Sequence, residues 1–334
     1  MTPLVSVIIP AYNAEKFIVQ TILSAQSQTY EPKEIIIVDD GSSDGTLALA
    51  SQFASKDVRV FTQANKGASA ARNKGLGESR GDYIQYLDAD DLLADTKIEK
   101  QLEAISNCGD DFVYAGKWKV FFQYPDELSF QPNVLWKYFN SPIEWLITAW
   151  SLQAWMHPSA WLTPRHLIDK AGPWDESLSL HDDGEFFCRV LLQSKGVRFC
   201  KDAESYYRKG INDSLSSTLS PKAIESHYKI CQLYERHLLG RRNSDETRKA
   251  CAVNYLAFYY TYYPRYQALR LGAKDAAARL GLVHGLPQGT ELFHILKKLF
   301  GWKLARRMEN MYYGNGFNRA SIIAKLKKLK LIRD

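Results

Sequence analysis

Tyr83-Ile84-Gln85-Tyr86-Leu87-Asp88-Ala89-Asp90-Asp91 is an apolar run of strand character that ends on three carboxylates within four residues. Two carboxylates about 4 Å apart repel by about 1 kcal/mol in water and about 4 kcal/mol near a protein surface, so such a cluster needs a compensating cation. Oxygen-only ligands suit Mg²⁺ or Mn²⁺, and sites of this kind take one or two carboxylates and complete the shell with water and substrate phosphates. A competing reading makes Asp90 or Asp91 the cap of a helix starting near Leu92. Capping occupies one aspartate and leaves two without a role.

The upstream chain repeats the pattern. Leu4-Val5-Ser6-Val7-Ile8-Ile9 is almost wholly apolar and β-branched, as in a strand covered on both faces, and it ends at Pro10-Ala11-Tyr12. A helical pattern follows, with Phe17, Ile18, Ile22 and Ala25 on one side. Glu34-Ile35-Ile36-Ile37-Val38 is a second buried strand ending at Asp39-Asp40-Gly41. A helix over Leu47 to Ser55, a strand at Val58 to Phe61 and a helix over Ala70 to Leu76 lead back to the acidic stretch. This alternation predicts an α/β fold with a doubly wound, mainly parallel sheet, helices on both faces, and ligands beyond the carboxyl ends of the strands. Tyr12, Asp40 and the acidic triplet all lie at such ends and are expected to converge on a nucleotide cleft. A dehydrogenase is excluded, because Pro10-Ala11-Tyr12-Asn13-Ala14 stands where G-x-G-x-x-G would have to approach a pyrophosphate.

Composition narrows the class further. The chain has 334 residues, 46% of them hydrophobic, and 13% aromatic residues, which suits gripping sugars or bases. The net charge of +6 gathers at the C-terminus and gives no nucleic-acid face. Five widely spaced cysteines without a Cys-x-x-Cys pair read as free thiols in a reducing cytoplasm. Met1-Thr2-Pro3 runs straight into a strand without the features of a signal peptide, and no apolar run approaches about 20 residues.

Val5 to Asn13, Val38 to Asp44, Asn65-Lys66-Gly67 with Ala71-Arg72-Asn73, and Leu87 to Asp91 resemble, in that order, the successive motifs of family 2 glycosyltransferases, which have the GT-A fold. The resemblance covers roughly residues 4 to 215. It implies metal-dependent, inverting transfer of a sugar from a nucleotide-diphosphate-sugar, a UDP-sugar first among them, to a hydroxyl acceptor that is a saccharide or lipid-linked. By the same resemblance, Pro10, Tyr12 and Asp40 would line the nucleobase and ribose site, with Arg72 a further nucleotide contact. Asp88 would meet the ribose or the Mn²⁺ or Mg²⁺ ion, and Asp90 would hold that ion on the diphosphate.

Further on, Asp182-Asp183 stands about six residues before Arg189, a register that this resemblance links to the general base. Asp183 is the first choice and Asp182 the second, against the alternative that both only serve the first turn of a helix. One departure stands out: Tyr207-Arg208-Lys209-Gly210-Ile211 lacks the histidine that follows Tyr-Arg in many relatives, leaving Arg208 or Lys209 to offset phosphate charge. Most of the rings between Trp118 and Trp161 are expected in the core, and a minority on an acceptor sugar.

The expected organisation is a catalytic domain over 1–218, split into a nucleotide half to about 95 and an acceptor half from about 96, then an all-helical region over 219–334. Within the latter, Ile322, Leu326 and Leu329 among Lys325, Lys327, Lys328, Lys330 and Arg333 form a basic amphipathic tail suited to peripheral contact with the inner face of a membrane. Two rivals remain. A sugar-phosphate nucleotidyltransferase would want a glycine-rich basic loop after the first strand, which is absent, and a silent nucleotide-sugar sensor would not need Asp90 and Asp183.

Overall fold

The structure is a computed structural model and describes residues 2–127, 129–210, 220–285 and 287–314. The first half alternates as the apolar runs predict: β1 (Val5–Ala11), α1 (Ile18–Gln26), β2 (Lys33–Asp39), α2 (Thr46–Ser51), β3 (Val58–Thr62), α3 (Ala68–Glu78) and β4 (Tyr83–Tyr86). The second half runs β5 (Leu92–Leu93), α4 (Lys97–Cys108), β6 (Val113–Phe121), α5 (Pro142–Ser151), β7 (Trp161–Pro164), α6 (Arg165–Ala171), α7 (Asp182–Gln193) and β8 (Val197–Arg208). Among the described residues four helices follow: α8 (Pro221–Arg241), α9 (Asp245–Thr261), α10 (Gln267–Arg279) and α11 (Glu291–Gly314).

The eight strands form one sheet in the order β3-β2-β1-β4-β7-β6-β8-β5. β1 to β4 are parallel, β7 runs antiparallel to both neighbours, and β6 pairs parallel with β8. Ala11 pairs with Asp39 and Ile8 with Tyr86, so β1, β2 and β4 all finish on one edge of the sheet. β1 is buried at every residue, which its β-branched run requires of a strand covered on both faces. On one face lie α1 and α4, through Ile18, Ile22, Ala25, Ile98 and Leu102. On the other, α3 comes close to β1 at Gly75, where a Cβ would collide with Ile8.

A helix does not begin near Leu92. Leu92 and Leu93 instead pair antiparallel with Tyr206 and Ser205 of β8, and the next helix starts only at Lys97. Neither Asp90 nor Asp91 therefore caps a helix. β6 is long, because Lys117 to Phe121 continue the ladder against β8 after an irregularity at Gly116/Lys117. Fewer of the rings from Trp118 to Trp161 lie in the core than expected: Phe121, Phe139, Trp145, Trp150 and Trp161 are buried, Trp118, Phe130 and Trp136 are partly buried, and Phe122, Tyr124, Tyr138 and Trp155 are exposed.

The chain divides into two compact units, 1–250 and 251–334. The first includes α8, which starts at Pro221 with the Ser220 hydroxyl accepting the Ala223 N–H at 3.2 Å. In the second, Tyr259, Tyr260 and Tyr263 surround Trp302, and Arg270 lies between Tyr259 and Tyr263. No helix among the described residues is long and apolar enough to cross a membrane. The basic tail around Leu326 lies outside the described residues.

Candidate active site

At the carboxyl edge of the sheet, the loops after β1 and β2 are laced together. Asn13 donates its N–H to the Ser42 hydroxyl and accepts that of Ser43, while the Gly45 N–H reaches Glu15. Pro10 is buried within β1, and Tyr12, two residues on, is half exposed at the edge. Asp40 is almost fully buried. Its carboxylate accepts the N–H groups of Lys66 and Gly67 and the Gln63 side chain, all at 2.8–2.9 Å. Most of its accepting capacity thus goes into shaping the Asn65-Lys66-Gly67 turn.

The acidic loop after β4 is held from two sides. The Thr21 hydroxyl donates to the carbonyls of Ala89 and Asp91, and Arg208 Nε donates to the carbonyl of Asp90. Asp91 lies fully buried, accepting from Ser159 and the Arg208 N–H and facing His157 Nδ1 at 3.1 Å. Burial pushes its carboxyl well above the usual range and holds His157 down at about 3, so the imidazole is neutral. His157 Nε2 in turn meets the Ser205 hydroxyl. This serine–histidine–aspartate order matches an acyl-transfer triad, but all three groups are sealed in the core, so no substrate can meet Ser205.

Asp88 and Asp182 are joined across the cleft by one side chain. Arg72, fully enclosed, donates to Asp88 Oδ1 at 2.8 Å and to Asp182 Oδ2 at 2.9 Å, with its guanidinium 4.4 Å from the Trp174 ring. Ser69 adds a second bond to Asp182. Asp182 is thereby committed to α3 and does not cap α7, whose N-cap is the left-handed His181. Arg72 is accordingly a bridge beneath the site, with its charge already shared between two carboxylates. Arg189 also points away from the acidic residues: it pairs with Glu185 and donates to the carbonyls of Ala171, Gly172 and Pro173, tying α7 to the turn that carries Trp174.

Asp90 and Asp183 have no ion-pair partner among the described residues. Burial, with Asp91 and Asp88 nearby, pushes Asp90 well above the usual carboxyl range. Burial and the neighbouring Asp182 push Asp183 up to about 7. A proton-accepting group near neutrality and an under-neutralised, oxygen-only pair at Asp88 and Asp90 therefore sit in the same cleft. The latter offers the oxygen-only donor set of a hard divalent cation, with one oxygen of Asp88 already taken by Arg72.

Beside these carboxylates stands an aromatic wall that the sequence does not single out. Trp155 lies 4.5 Å from Trp118 and 5.4 Å from Tyr207, whose phenol is pushed up to about 12 by burial and by the charges of Asp91, Asp88, Asp90 and Asp183. Arg208 does not face the cleft as a free cation. It is enclosed by Phe17 and Phe121 and bonded to Gln20 and to the carbonyls of Asp90 and Phe122. Lys209 remains as the basic side chain after Tyr207.

The family model described as Glycosyl transferase family 2 matches residues 6–150. An uncharacterized glycosyltransferase of Haemophilus influenzae is 48% identical over 103 residues, covering 30% of this chain and 41% of that protein. The Escherichia coli protein named UDP-Glc:alpha-D-GlcNAc-diphosphoundecaprenol beta-1,3-glucosyltransferase WfaP is 30% identical over 246 residues, covering 69% of this chain and 91% of that one. Among solved structures, S. aureus TarS 1–349 in complex with UDP-GlcNAc superposes with a TM-score of 0.66 at 18% identity, covering 94% and 93% of the two chains. That likeness establishes the GT-A fold. With the ordered motifs on one sheet edge, the chain belongs to glycosyl transferase family 2.

Proposed function

We propose that this enzyme moves a sugar from a UDP-sugar to a hydroxyl of a saccharide acceptor carried on a lipid, with inversion at the anomeric carbon. The observation that carries the proposal is the Arg72 bridge, which brings an acidic loop suited to a metal and a helix bearing a proton acceptor into one cleft. The printed name of the Escherichia coli relative supports a UDP-sugar donor and a lipid-linked acceptor.

In this reading Pro10, Tyr12 and the turn shaped by Asp40 receive the nucleoside. Asp90 and Asp88 would hold Mn²⁺ or Mg²⁺, which when bound offsets the charge developing on the departing diphosphate. Asp183 takes the acceptor hydroxyl proton as the new glycosidic bond forms opposite the breaking one. Asp182, held by Arg72 and Ser69, positions the first turn of α7. Trp155 and Tyr207 give the acceptor sugar a ring face to stack on. A lipid-linked acceptor places the protein at the cytoplasmic surface of a membrane.

Calorimetry of UDP with and without Mn²⁺ tests the reading. Because the two carboxylates complete a cation shell only with diphosphate present, UDP is expected to bind much more tightly with the metal. Equal affinity in EDTA would remove the metal from the proposal.

A further inference from the structure

α11 carries an apolar face that nothing in its own unit covers among the described residues. Beyond the break at Gly301, Trp302, Ala305, Arg306 and Glu309 turn inward, with Arg306 and Glu309 bonded to each other and Glu309 to Thr290. At 3.6 residues per turn, Leu304, Met308 and Met311 fall together on the opposite side. They are 46%, 38% and 69% exposed, and Leu299 and Phe300, just before the break, are 62% and 53% exposed. Singly exposed apolar residues are ordinary, but three on one helix face, with two more just before the break, are a surface.

Charge selects the occupant. Lys298, Lys303 and Arg307 are exposed along the same helix, and the acid Glu309 is buried against Arg306. A second copy of this face would bring like charges together. An anionic surface with an apolar interior satisfies both the stripe and its basic flank, as for helices that lie in the plane of a bilayer.

We propose that the Leu304–Met308–Met311 face of α11, with the exposed Leu299 and Phe300 before its break, seats the protein on an anionic bilayer. This deepens the membrane-surface location above, but it rests on α11 and not on donor chemistry or on the residues after Gly314.

The test is flotation of the full-length protein with vesicles of phosphatidylcholine alone or mixed with phosphatidylglycerol, using wild type and the Leu304→Asp/Met311→Asp double variant. Both changed residues are exposed, so an unchanged melting temperature is expected. Wild type should float only with the anionic vesicles, and the double variant should bind at least tenfold more weakly. A Met311→Trp variant should show fluorescence quenched by brominated lipid. Absence of wild-type flotation, equal flotation of the double variant, or a solution dimer dissociated by these substitutions would each overturn the assignment. UDP affinity measured on the same variants keeps the two questions apart: it should not change, and its loss in wild type would count against the donor reading alone.

Discussion

The two acidic motifs of the cleft are built alike: with Asp91 committed to the core, each is left with two carboxylates of opposite fates. Asp88 and Asp182 are neutralised by the same arginine, whereas Asp90 and Asp183 are partly buried without an ion partner among the described residues, their carboxyls pushed upward. A single cation beneath the cleft thus fixes the spacing of the motifs by taking one oxygen from each. It leaves the other carboxylate of each pair in a state that a ligand relieves. Structural and chemical duties are divided within each pair of aspartates rather than between the motifs.

The sharpest break in this division is Asp183→Asn, which keeps shape and removes proton acceptance. Transfer should fall by about 10² to 10⁴-fold in a single-turnover assay, with UDP affinity nearly unchanged. In the wild type, the active form is the deprotonated one, so transfer should rise with pH through about 7. The sign for stability is opposite. A carboxyl whose folded pKa is raised contributes stability at low pH and loses that contribution as pH rises from about 4 through about 7. Asp183→Asn escapes that loss and should melt at or above wild type at pH 8. If Asp183 served only as a helix-end residue, transfer would be kept, and the role of base would pass to Asp182.

Arg72→Met should reach both motifs at once. It leaves Asp88 and Asp182 facing each other across the cleft without their shared cation, and breaking a buried pair from one side costs roughly 3–5 kcal/mol. Melting temperature and UDP affinity should fall together. Adding Asp182→Asn should recover part of the stability, and Arg72→Lys should not rescue, since an ammonium cannot span two carboxylates as the planar guanidinium does. Lost UDP affinity with unchanged melting would instead make Arg72 a direct nucleotide contact.

Much of this was legible in the chain because the buried parallel strands are continuous β-branched runs and their ends carry the acidic motifs. What was not legible depends on partners distant in sequence. Leu92-Leu93 is too short to declare itself a strand and becomes one only against Tyr206 and Ser205 of β8. Nothing in the sequence marks Arg72 as a bridge until α7, 110 residues later, delivers Asp182. His157 gives no signal alone, since its role is set by Asp91 on one nitrogen and Ser205 on the other. The sequence ranks Asp183 above Asp182 by resemblance alone, and it is Ser69 and Arg72 that tell them apart physically.

The mildest test asks how finely the unpaired carboxylate of α7 must be placed. Gly184 follows Asp183 and donates its N–H to that carboxylate, and a Cβ there would run into the Tyr234 hydroxyl of α8. Tyr234 is stacked on Trp150 at 4.5 Å, which leaves its ring little room to retreat. Gly184→Ala gains up to about 1 kcal/mol of helix propensity but sets against it an overpacking cost of about 1–3 kcal/mol. The net change in stability should be small, while the first turn of α7 shifts and carries Asp183 with it. A severalfold drop in single-turnover transfer, with UDP affinity intact, is the expected result. Tyr234→Phe removes the colliding atom, and the next contact, the ring carbon at 3.4 Å, is of ordinary length. The double variant Gly184→Ala/Tyr234→Phe should therefore regain most of the lost transfer. If it does not, the drop comes from the backbone at residue 184 itself, and α8 has no part in holding Asp183.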